Sequence, residues 1–112
     1  MSTPVAEVKA ELFKALAHPI RVRALEVLVR GECSVGALAE QLDVELSHLS
    51  HQLGVLRRAR VVSTRRDGSV VYYSLRDPRV SQLLVSAKQI VLSMLEDSAG
   101  LIEALAQELP AR

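Results

Sequence analysis

A mainly α-helical fold carrying one small β-hairpin is predicted by three observations. Val35, Leu38, Ala39 and Leu42 recur at helical spacing, and after a break at Asp43-Val44 so do Leu46, Leu49, Leu53 and Leu56. Two β-branched and aromatic runs follow, over 61–66 and 69–75, and flank Asp67-Gly68, a strong hairpin signal. Apolar residues make up 49% of the chain but aromatic ones only 3%, so the core must come from Leu, Val, Ile and Ala, which suits packed helices. Two short helices with a tight joint, then a hairpin, are the parts of a winged helix-turn-helix, here in the order α-α-α-α-β-β-α.

The elements follow in chain order. Residues 4–17 form a first helix, with Val5, Val8, Leu12 and Ala15 as its apolar stripe and Phe13 and Leu16 beside it. His18-Pro19 marks a boundary, because proline suits the first turn of a helix and disfavours helix in the residue before it. A second helix runs from Pro19 to about Arg30 with Ile20, Ala24, Leu25, Leu28 and Val29 inward, and Gly31 stands where a C-terminal glycine belongs. Ser34 is the expected N-cap of a third helix over 35–42. The fourth covers 46–58, with Leu49, Leu53 and Leu56 facing the core. Asp77-Pro78 restarts the helix, Asp as cap and Pro at the first position. Val80, Leu83, Leu84, Ala87, Ile90, Val91, Met94 and Leu95 then form a wide apolar band, which Gly100 is expected to interrupt and Leu101, Ile102, Leu105 and Leu109 continue to Pro110.

At 112 residues the chain is expected to be one domain, with the helix-turn-helix at 34–58 and the wing at 61–75. So wide an apolar band is more than a small monomer can bury. Residues 1–17 and 77–109 are therefore expected to form a two-fold dimer through Val5, Val8, Leu12, Leu83, Leu84, Ile90, Val91, Met94 and Leu95. No run of about 18 apolar residues is present, so no membrane span is expected. The N-terminus does not read as a signal peptide, and a single Cys fits a reducing cytoplasm. The net charge is only +1, but it is unevenly spread. Residues 57–79 carry seven arginines against two aspartates, between flanks that are each slightly acidic. Such a local basic segment is the footprint of a polyanion contact, with a solvated charged face as the plainer reading.

Three segments resemble the ArsR/SmtB family of bacterial winged-helix repressors. They are Phe13-Lys14-Ala15-Leu16-Ala17-His18-Pro19-Ile20-Arg21, the run from Ser47 to Arg57, and the wing from Arg66 to Leu75. The match covers about residues 8–95 in family order and spacing. It implies a homodimer that represses an operator in double-stranded DNA and responds to an inducer, most often a metal ion or metalloid and sometimes a redox change. On that reading Ser47, His48, Ser50 and His51 read base edges from the fourth helix. Gln52, Arg57, Arg58, Arg65 and Arg66 contact phosphates, the last two from near the wing tip.

The chain departs from the family's sensing patterns. Ser34-Val35-Gly36 stands where many members carry Cys-Val-Cys, and Cys33, one position earlier, reads as small core filling. Where others have an Asp-x-His and His-x-x-Glu pair on the last helix, this chain has Asp77, Arg79, Ile90 and Ser93. No residue is therefore assigned to metal and no cofactor is expected, with nickel or zinc at a non-standard site left open. His48 and His51 share a helix face but are read as DNA contacts, and His18 as a helix-boundary residue. Glu7, Glu11, Glu96 and Asp97 are read as solvated. Glu45, where a small polar residue is common, suits the helix dipole but repels phosphate. Arg60 replaces a common Gly and strains its turn. A small ligand or a sensor partner protein are the other routes to a signal. The competing function is a winged-helix protein-interaction module without DNA reading. An enzyme is not expected, since no phosphate loop, nucleophile arrangement or paired carboxylates are present.

Overall fold

The computed structural model describes residues 4–108. Its elements are α1 (Val5–Leu16), α2 (Pro19–Leu28), β1 (Cys33–Ser34), α3 (Val35–Leu42), α4 (Leu46–Arg58), β2 (Val62–Asp67), β3 (Val70–Leu75) and α5 (Arg79–Glu108). The predicted order holds, with one addition. β1 is a third strand, pairing antiparallel with β3 through Cys33–Tyr73 and Ser34–Tyr72, so the sheet order is β1-β3-β2. Cys33 is thus a half-buried strand residue with a free thiol.

The caps follow from the sequence chemistry. His18 Nδ1 accepts the Ile20 N–H at 3.1 Å and Pro19 opens α2. Ser34 Oγ accepts the Ala37 N–H at 3.2 Å, which satisfies one of the free donors at the start of α3. α3 ends on Asp43 in the left-handed region, φ 53°, which makes the tight joint before α4. Arg60 also sits there, at φ 62°, as its replacement of glycine implied. Asp77 accepts the Arg79 N–H at 2.9 Å and grips its guanidinium at 2.6 Å. The guanidinium first, then the backbone N–H, holds the Asp77 carboxyl at about 2. Pro78 lies just before the helix rather than inside it.

The chain forms two compact units, one up to Ser81 and one from Gln82 onward. In the first, α4 packs against α1, α2, α3 and β2. Leu49, Leu53 and Leu56 are fully buried, joined by Leu25, Leu38 and Val62. Several expectations need correction here. α2 ends at Leu28 and Val29 is exposed, because the last inward position of the stripe is Leu28. In α1 only Ala15 and Leu16 are buried; Val5, Val8, Leu12 and Phe13 face outward in the single chain, which leaves the expected dimer residues uncovered rather than contradicted. Leu46 is likewise exposed. The hairpin loop is Gly68-Ser69 rather than Asp67-Gly68, since Asp67 pairs with Val70. Of these two loop residues only Gly68 has positive φ (62°), the pattern of a type II′ turn.

The second unit is the bulk of α5. It runs unbroken through Gly100, against expectation. A mid-helix glycine costs about 1 kcal/mol relative to alanine, and the apolar spacing on either side outweighs it. Leu83 and Leu84 are half-buried, and Ile90, Val91, Met94, Leu95, Leu101, Ile102 and Leu105 are exposed. Leu109 and Pro110 lie outside the described residues. Among the described residues no helix is long and apolar enough to cross a membrane.

Candidate nucleic-acid interface

The helix-turn-helix presents the N-terminal half of α4. Ser47, His48, Ser50 and His51 are all exposed there, while Leu49 and Leu53 anchor the opposite face. Glu45 is the N-cap residue but makes no side-chain cap. Its carboxylate instead accepts the Ser47 hydroxyl at 2.6 Å, which occupies one candidate base-reading group. His48 stacks edge-on against His18, the N-cap of α2, ring centroids 6.4 Å apart and planes at 83°.

Gln52 is not the phosphate contact expected of it. It is only 7% exposed and is held from both sides. Arg21 of α2 donates through Nη1 to Gln52 Oε1 at 3.0 Å. That bond fixes the amide, so its Nε2 is the group facing His48 Nε2 at 3.4 Å. Gln52 thereby ties α2 to the exposed polar face of α4. Its burial agrees with its spacing, since 49, 52, 53 and 56 share one helix face. Arg57 is exposed in the last turn. Arg58 folds back along α4, its Nη1 3.2 Å from where a Cβ on Gly54 would lie, and borders a cavity against α1.

The wing arginines differ from each other. Arg66 is exposed. Arg65 instead meets Glu32 in a two-pronged ion pair, Nη2 to Oε1 at 2.7 Å and Nε to Oε2 at 3.1 Å, and lies 4.5 Å from the centroid of the Tyr72 ring. The Arg65 guanidinium lowers the Glu32 carboxyl below its ordinary range. Nothing in the sequence paired these two residues; the β1-β3-β2 order sets Ser34 and Arg65 on either side of Tyr72 in β3, and Arg65 reaches across that strand over the Tyr72 ring to Glu32. Glu32 therefore occupies the edge of the Arg65 guanidinium that a phosphate would need. Glu32→Gln is expected to raise affinity for random DNA a few-fold and steepen its salt dependence, because one more cation becomes available. Arg66→Ala is expected to flatten the slope by about 0.9, the share of one phosphate contact. Mobility shifts across a salt series measure both; an unchanged slope in Arg66→Ala would remove that residue from the interface.

Among the described residues, no three His, Cys, Asp or Glu side chains converge where a metal ion could sit.

A short helix pair whose second member shows a polar face, followed by an arginine-bearing β-hairpin, defines a winged helix-turn-helix regulator. Residues 18–64 match the family described as bacterial regulatory protein, arsR family. An uncharacterised HTH-type transcriptional regulator of Mycobacterium tuberculosis is 47% identical over 105 residues, spanning 93% of this chain and 92% of that one. The crystal structure of M. tuberculosis Rv0081 superposes with a TM-score of 0.78, covering 88% of this chain and 99% of that one at 47% identity. The biofilm growth-associated repressor of Xylella fastidiosa is 43% identical over 75 residues, 67% of this chain and 66% of that one. A solution structure from Mycobacterium bovis, described as a homodimeric winged helix-turn-helix DNA-binding domain, is 29% identical with a TM-score of 0.74 and covers 83% of this chain and 86% of that one. The chain belongs to the ArsR family and is a transcriptional regulator, not an enzyme.

Proposed function

We propose that this regulator acts as a homodimeric repressor that sets the α4 helices of its two copies into successive major grooves of an operator. The observation that carries the reading is the exposed row Ser47, His48, Ser50 and His51 at the start of α4, the end that reaches base edges in this motif. Arg57 and Arg66 take phosphates, and Arg65 does so once released from Glu32. The Xylella relative is named a repressor and the M. bovis neighbour a homodimer, which supports both halves of the reading. Pairing of the outward apolar faces of α1 and α5 supplies the two-fold contact. The signal comes through a small ligand, a metal at a non-standard site such as nickel or zinc, or a partner protein.

His51 separates sequence reading from general attraction. His51→Ala is expected to weaken operator binding about 5- to 150-fold, the range of one base contact, and to leave binding to random DNA unchanged. A mobility-shift titration on the DNA upstream of the gene measures it. Equal losses on operator and random DNA would sink the base-reading role.

A further inference from the structure

We propose that the cavity between α1 and the C-terminal half of α4 is the sensing site, and that its ligand is a small organic carboxylate with an apolar body. The proposal deepens the repressor reading and rests on it for the link to DNA. The cavity measures about 550 Å³, within the range of about 300–1,000 Å³ usual for small-molecule sites. Val8 and Leu12, both also assigned to the two-fold contact, and Val55 give it apolar walls, while Lys14, Arg21 and Arg58 set three cations against the single carboxylate of Glu11. An apolar chamber with excess positive charge selects an amphipathic anion.

Arg21 narrows the chemistry to a carboxylate. Its Nη1 is taken by Gln52, but its Nε is buried with no partner among the described residues. A buried N–H without an acceptor is disfavoured, and proteins rarely leave one. Among the described residues, the two arginines that grip a carboxylate with two prongs show what that edge accepts. Arg65 offers Nε and Nη2 to Glu32, and Arg79 offers Nε and Nη2 to Asp77. A ligand carboxylate in the cavity would supply the same planar acceptor to Arg21 after a small rotation of its guanidinium.

Arg21 also carries the coupling. Arg21 borders the cavity and its guanidinium fixes Gln52, and Gln52 in turn faces His48 on the DNA-reading surface. A carboxylate that turns Arg21 toward the cavity withdraws it from Gln52 and frees His48 to reorient. By reciprocity, operator and ligand must then change each other's affinity by the same factor.

The test is calorimetric titration of the full chain, without DNA, with hexanoate, benzoate and phenylacetate. Hexanol and benzyl alcohol serve as uncharged counterparts and inorganic phosphate as the bare anion. Carboxylates are expected to bind at least about tenfold more tightly than the alcohols or phosphate, the margin of one charge-assisted bidentate contact. Arg21→Gln should abolish that margin. Lys14→Ala, on an exposed residue whose loss leaves the fold intact, should reduce it, and Glu96→Gln on α5 should not. Carboxylates and alcohols binding alike, phosphate binding as well as benzoate, or no binding at millimolar concentration (as when a second copy fills the cavity) would each overturn the site. Operator affinity without ligand checks the repressor reading separately. A bound carboxylate is expected to shift that affinity at least about fivefold, and to lose this effect in Gln52→Leu. Equal operator affinity with and without saturating carboxylate would overturn the sensing role.

Discussion

Leu53→Ala is expected to destabilise the protein by about 2–5 kcal/mol, the range for truncating a fully buried leucine. Leu53 has no exposed surface and lies on the face of α4 that packs into the first unit. The substitution removes apolar area and leaves a void that a small, close-packed core cannot fully collapse. Against a total stability of about 5–15 kcal/mol for a domain of this size, such a loss is a large fraction. Urea denaturation at fixed protein concentration measures it as a lower midpoint with an unchanged slope. Leu46→Ala is the control: Leu46 is 51% exposed on the same helix, and its truncation should change stability by no more than about 0.5 kcal/mol. A loss below about 1 kcal/mol at Leu53 would mean that α4 is not the centre of the core. Operator binding by Leu53→Ala should fall only in proportion to the unfolded fraction, whereas His51→Ala should lose binding while fully folded.

The contrast between those two residues shows what was legible in the amino-acid sequence. Helical spacing identified Leu49, Leu53 and Leu56 as core and left Ser47, His48, Ser50 and His51 outside, because side-chain direction on a helix is set by position alone. Position 52 shares that inward face, but the polar chemistry of Gln52 led to its reading as a phosphate contact instead. The outcome turned on its partner Arg21, which lies 31 residues away in sequence. The Arg65–Glu32 pair was unreadable for a related reason. It depends on β1, a strand of two residues, too short to show any alternation and formed only through its pairing with Tyr72 and Tyr73. Local periodicity therefore gave the scaffold and the exposed reading face. The polar links around that face are long-range contacts, and they appear only once the sheet order and helix packing are known.

The largest effect on oligomeric state is expected at the seam of α5. Val80, Leu84, Ala87, Val91, Met94, Leu101 and Leu105 recur at alternating steps of four and three, with Ser98 as the one polar member, while Gln82, Gln89, Glu96 and Glu103 occupy the opposite face. This is the pattern of a helix that pairs along its length. Its 30 residues span roughly 45 Å, and Val91, Met94, Leu101 and Leu105 are all exposed in the single chain. So long an apolar stripe is not sustained in water by a monomer. Met94→Glu places a carboxylate in the middle of that seam. An unpaired charge buried there costs several kcal/mol, so the dimer dissociation constant should rise roughly 100-fold or more. Because Met94 is 61% exposed in the single chain, the substitution leaves each subunit folded and isolates the association step. Gln89→Glu, which adds the same charge on the opposite, exposed face, should leave association unchanged. Sedimentation equilibrium over a concentration series measures both variants. Operator affinity should fall with dimerisation in Met94→Glu, since one helix-turn-helix then meets one half-site and loses the second contact made through its partner. A parent chain that stays monomeric at high concentration, or a Met94→Glu variant that dimerises like the parent, would remove α5 as the two-fold contact.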